Sequence, residues 1–129
     1  MPTSTRYKPF TLAFEERPHY LYARVDSNAI SVERMEQYMG EIMDHCRELD
    51  CKCLLIDRHI PTTLSNVDVY RAITALSDRV PDGLRIALVD ANSNNRKRLE
   101  FGSRAARAQR LDAQIFASIE DAEKWLLKD

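Results

Sequence analysis

Two short runs constrain this chain more than anything else in it. Cys53-Leu54-Leu55-Ile56-Asp57 and Ile86-Ala87-Leu88-Val89-Asp90 are apolar segments, each closed by an aspartate. Runs this short are not helices; they fit strands buried on both faces. Such strands belong to parallel sheets covered by helices, so the pair predicts an α/β fold. In open sheets of this kind, ligands and partners dock at the loops beyond the carboxyl ends of the strands. The first run therefore also marks a candidate site, the polar stretch from Arg58 to Asn66.

The remaining segments fall into order around these strands. Residues 1–9 are polar and are expected to form a flexible N-terminal segment, with residues 10–129 as a single domain. Phe10 to Phe14 alternates as a half-buried strand does, and Tyr20 to Val25 is a second strand rich in β-formers. The short link between them favours an antiparallel hairpin. Ser31 is a good N-cap for a helix in which Val32, Met35, Met39, Ile42, Cys46 and Leu49 recur at spacings of three and four. Ser65, three residues before Asp68, caps a second helix over Val67 to Arg79 that should bury Val69, Tyr70, Ile73, Leu76 and Val80. Pro81-Asp82-Gly83 is a turn. A third helix, about Asn95 to Arg110, packs Leu99, Gly102 and Ala106, and the glycine suggests a close approach of helix to sheet. Ala113 to Ala117 is the last strand, and Ser118 caps a final helix carrying Ile119, Ala122, Trp125 and Leu126. The order is β-β-α-β-α-β-α-β-α, a five-stranded, mainly parallel sheet with an N-terminal antiparallel strand.

Charge and composition remove several function classes. A net charge of −1 argues against general nucleic-acid binding, which needs a basic footprint. No apolar run approaches the roughly 20 residues of a membrane span, and the N-terminus lacks the apolar segment of a signal peptide. Cys46, Cys51 and Cys53 are odd in number and clustered, which does not suit a disulfide framework. The expectation is a reduced, cytoplasmic protein.

Chemical motifs are sparse. The only glycines are Gly40, Gly83 and Gly102, so no phosphate-cradling glycine loop is present and no cofactor is expected. Cys51 and Cys53, read as pointing to one face of a strand, lack the gaps and the fourth ligand of a closed zinc site, and no metal is expected. Asp57 ends a central strand as the acceptor aspartate of a receiver domain does. The acidic pair and the lysine that such a domain needs are missing, and Asp57 is read as accepting loop N–H groups. His59 is the one candidate base, with Thr62, Thr63 and Ser65 as nearby hydroxyls but no nucleophile elbow. No catalytic set is assigned. Arg96, Lys97, Arg98, Arg104, Arg107 and Arg110 make the third helix basic, and Asn94, Asn95, Arg96 and Arg104 are candidates for binding an anion, an acidic partner or a lipid headgroup.

Three stretches carry a family resemblance: Arg85-Ile86-Ala87-Leu88-Val89, then Phe101-Gly102 in a helix, then Ile115 to Leu126 with its F-x-S-x-E-D-A-x-x-W-L pattern. Their order and spacing resemble the SpoIIAA-like family, small bacterial proteins of the STAS type related to anti-anti-sigma factors. The resemblance spans about Tyr20 to Leu127. It implies a STAS fold and a non-enzymatic regulatory module whose partner is a kinase-like anti-sigma factor or another regulator. A homodimer is compatible with it. Family members that antagonise anti-sigma factors carry an Asp-Ser-Ser-Gly-like stretch opening the helix after the third strand. Here the stretch reads Leu64-Ser65-Asn66-Val67, without the glycine; counted from Asp57, Ser65 falls on the motif's aspartate and Asn66 on its serine, and with the loop shifted by one residue Ser65 is the candidate phosphorylation site. The partner loop is then Asp57, His59, Thr62, Thr63, Ser65 and Asn66. The alternative is a binding protein for a small apolar or lipid-like ligand, in a pocket lined by Tyr20, Tyr22, Met35, Met39 and Tyr70.

Overall fold

The computed structural model describes residues 9–128. Most of the expected N-terminal segment lies outside the described residues. The elements are β1 (Thr11–Arg17), β2 (Tyr20–Asp26), α1 (Val32–Leu49), β3 (Cys53–His59), α2 (Asn66–Leu76), β4 (Arg85–Val89), α3 (Ser93–Ala108), β5 (Asp112–Phe116) and α4 (Ile119–Leu126). A single 3-10 turn, Ser77–Arg79, extends α2. The element order is the expected one.

The five strands lie in sequence order across one sheet, β1-β2-β3-β4-β5. β1 runs antiparallel to β2, with Arg17 opposite Tyr20; every other pair is parallel. The Cys53 to Asp57 run is therefore the middle of the sheet, with five of its seven β3 residues buried. Alternation splits its side chains between two cores. Leu54 and Ile56 join Leu21, Ala23 and Val25 of β2 under Tyr38, Ile42, Met43 and Cys46 of α1. Leu55 joins Tyr20, Ala87 and Val89 under Ala122 and Leu126 of α4.

Helices α1, α2 and α3 share one face of the sheet, and α4 alone covers the other. Val69 and Ile73 of α2 pack on Ala105 and Ala106 of α3. Tyr70, expected in the buried stripe, is 53% exposed because it lies to the side of the Val69–Ile73 line. Gly102 is where α3 meets α2, not the sheet: a Cβ there would lie 3.2 Å from Val69 Cγ2. The closeness of two helices, rather than of helix and strand, requires the missing side chain.

Side-chain caps set the helix starts. Ser31, Ser65 and Ser118 accept from the backbone N–H groups of Arg34, Asp68 and Asp121. α3 begins at Ser93, two residues before the expected start, because Asn92 takes the cap and accepts from Asn95 N at 3.0 Å. Cys51 and Cys53 do not share a face: Cys51 precedes β3 and packs toward α1, whereas Cys53 packs toward α4. Burial raises all three thiols, Cys46 to about 12.

Candidate functional site

The site lies where β3 and β4 leave the sheet. Strand alternation sends Arg58 to the three-helix side and Asp57 and His59 to the α4 side. Arg58 is buried, which an arginine tolerates only when its donors are matched. Its Nη1 donates to Asp90 Oδ2 and to the Ile60 carbonyl, both at 2.9 Å, and its Nη2 to the Thr62 carbonyl. Asp90 is buried as well. It accepts from Asn92 N at 2.9 Å and from Asn95 Nδ2 at 3.2 Å. Asn95 Nδ2 also donates to the Ile60 carbonyl at 3.1 Å. This network ties the loop after β3 to the loop after β4. Thr62 Oγ1 extends it to the β2–α1 loop by accepting from Ile30 N at 3.0 Å.

On the opposite face Asp57 Oδ2 accepts from the Tyr22 hydroxyl at 2.5 Å, and His59 Nε2 lies 2.9 Å from Asp57 Oδ1. Its partners are side chains of the sheet surface, not the loop N–H groups expected, because residue 57 points away from the loop that follows it. Burial, then the Asp57 hydrogen bond, pushes the Tyr22 phenol up to about 12. Arg17 lies over the Tyr22 ring, 4.1 Å from its centroid. His59 is exposed and borders a shallow cleft of about 440 Å³ with Thr11, Asp26, Ser27 and Asn28. Arg24 holds the Asp26 carboxyl below the usual range. Among the described residues no hydrogen bond joins His59 to Thr62, Thr63 or Ser65.

Beyond the pinned loop, α2 opens outward. Ser65 is exposed, and its Oγ accepts from Asp68 N at 3.1 Å. Asn66 is exposed, and so are Val67 (63%) and Tyr70 (53%). Beneath α2 lies an apolar cavity of about 130 Å³, lined by Met35, Met39, Ile56, Val69, Ile73 and Leu88 among others, with Thr63 and Leu64 at the loop side. Of the pocket expected from sequence only the two methionines are present. Tyr20 and Tyr22 face α4, and Tyr70 faces outward.

The candidate anion site at the start of α3 is divided. Asn95 is turned inward to Asp90 and Ile60, and Arg96 Nη1 donates to the Asp90 carbonyl at 2.8 Å. Asn94 and Arg104 are exposed on the outside of the helix.

No family model and no curated protein matches the chain. Solved structures do. An anti-sigma factor antagonist from Mycobacterium paratuberculosis superposes with a TM-score of 0.64 at 11% identity, covering 91% of this chain and 93% of that one. A DUF3478 protein with a SpoIIAA-like fold, from Shewanella loihica, gives 0.56 at 14% identity, covering 97% and 99%. The fold is SpoIIAA-like. Within this SpoIIAA-like frame the polar framework of the site rests on residues that a reading of motifs passes over. Arg58, Asp90 and Tyr22 belong to no catalytic pattern. The available signal was an arginine directly after the aspartate that closes the apolar run, and so on the opposite face of the strand from it. A charged residue at an inward-facing strand position needs a buried partner, and the aspartate ending the neighbouring strand supplies it.

Proposed function

We propose that this chain is a non-enzymatic, STAS-like regulatory module of the bacterial cytoplasm. It docks a protein partner through the β3–α2 loop and the first turns of α2. One observation carries the reading: Val67 and Tyr70 are exposed beside the exposed Ser65 cap, after a loop whose Ile60 and Thr62 carbonyls are held from below by Arg58, itself paired with Asp90. A rigid loop presenting apolar side chains at low ordering cost is suited to protein recognition. The anti-sigma factor antagonist among the structural neighbours supports the same class of role, with a kinase-like anti-sigma factor or another regulator as partner.

Ser65 is the proposed point of control. A phosphate adds about −1.5 to −2 charges at neutral pH, and here it would stand next to Val67 in the docking surface. Pull-down from the native cell with wild type and Ser65→Glu tests this. A partner retained by wild type and released by the glutamate variant is expected. Partners indifferent to the change would remove the loop as an interface.

The cavity beneath α2 favours a second reading, a carrier for a small apolar ligand. Its volume is of the order that holds a benzene-sized group. Native mass spectrometry of freshly purified protein tests it. A clean unliganded mass, with no thermal shift across a panel of lipids, counts against it.

A further inference from the structure

Helices α1, α2 and α3 lie side by side, and their outer surfaces differ in charge. α1 carries five carboxylates against two arginines, and α3 carries five cations against one glutamate. Helical spacing gives the sidedness. Opposite the buried Ile42 and Cys46 of α1 stand exposed Glu33, Asp44 and Glu48. Opposite the buried Gly102 and Ala106 of α3 stand exposed Lys97 and Arg104. Asp44 is shared by Arg47 and Arg79, but Glu33, Glu48, Lys97 and Arg104 have no side-chain partner among the described residues. Between the two flanks, the outermost line of α2 is Val67, Arg71 and Thr74, with Tyr70 beside it.

We propose that this helical face pairs with a second copy of the same chain, in a two-fold dimer whose axis runs along α2. An isologous interface must be self-complementary. An acidic flank, a central helix with exposed apolar residues, and a basic flank satisfy that condition for one axis direction. Rotation about a line parallel to α2 lays each α1 on the other copy's α3, and α2 on α2. Rotation about a line across the helices would set α1 on α1 and α3 on α3, like charge on like. Three helices spaced about 10 Å apart offer on the order of 600 Å² per copy. That is the low end for a specific interface, so the dimer is weak, concentration-dependent and sensitive to salt. Arg71 falls on the axis, facing its own mate, and opposes pairing. The proposal goes beyond the partner reading and does not need another protein. Val67 and Tyr70 serve both, so self-pairing shields the surface that a partner would use.

Sedimentation velocity on the purified chain, over a dilution series at low and high salt, tests this. Wild type is expected to dimerise at low salt and to dissociate at high salt. The charge reversals Lys97→Glu with Arg104→Glu, and separately Glu33→Lys with Glu48→Lys, should each weaken pairing at least about tenfold, since facing charges become alike. Mixed in equal amounts, the two variants should form a heterodimer, which also shows that both are folded. Arg71→Ala should tighten the wild-type dimer. A chain that stays monomeric throughout at low salt overturns the proposal, as does a mixture that fails to pair or a dimer indifferent to the reversals. The Ser65 pull-down reads capture of a different protein, so a failure of self-pairing leaves that test standing.

Discussion

Arg58 Nη1 and Asp90 Oδ2 meet at 2.9 Å in a buried ion pair that joins the exits of the two central parallel strands. The pair sits where the chain turns outward, so it sets the shape of the loops rather than the packing of the core. Removing either partner leaves the other charge buried without compensation. Arg58→Ala and Asp90→Ala should each destabilise the protein by about 3–5 kcal/mol. Urea denaturation checks this, and the double variant should cost less than the sum of the singles.

Tyr22 makes the opposite face of the site dependent on pH. Its phenol is neutral in the fold and raised to about 12, whereas an unfolded tyrosine titrates near 10. A raised pKa means that the folded state holds the proton more tightly. The contribution is fully present below pH 10 and is lost as pH rises through about 12. Tyr22→Phe should abolish that alkaline dependence and cost about 1 kcal/mol at neutral pH through the lost Asp57 hydrogen bond. Phenolate absorbance during alkaline titration, in wild type and variant, separates the two effects.

The Ser65 cap gives a further expectation. Ser65→Ala leaves Asp68 N without its side-chain acceptor and should destabilise by about 1 kcal/mol, whereas Ser65→Asp keeps an acceptor and should be close to neutral. Thermal unfolding of the three proteins compares them. A loss shared by both variants would mean that the hydroxyl acts otherwise than as a cap.

Gly102 tests the helix contact. A leucine there must displace Val69, whose Cγ2 would lie 3.2 Å from even a first Cβ. Gly102→Leu should destabilise by about 1–3 kcal/mol through overpacking. Val69→Ala in the same chain should recover part of that loss. A pair of additive effects would place the contact elsewhere.

Much of the architecture was legible because it depends on local periodicity. The apolar runs before Asp57 and Asp90 have one stable use, as strands covered on both sides, and the serine caps act within their own first turns. Tyr70 shows where this reasoning fails. Its spacing fits a buried stripe, but the width of that stripe is set by how closely α3 approaches, and α3 comes close because residue 102 has no side chain. The loop residues divide in the same way. Ser65 was recognisable as a cap, while Thr62 holds the β2–α1 loop through Ile30 N, a contact between segments far apart in sequence.

The sequence by itself determined the order of strands and helices, the central place of β3 and the three serine caps, since each follows from residues within a few positions of one another. The tertiary structure alone decided which charged groups pair. Arg58 finds Asp90 and Tyr22 finds Asp57 only after parallel strands are set side by side. The physical reason is that a buried charge or hydroxyl must be matched by whichever group the register brings within bonding distance. No local pattern encodes that register.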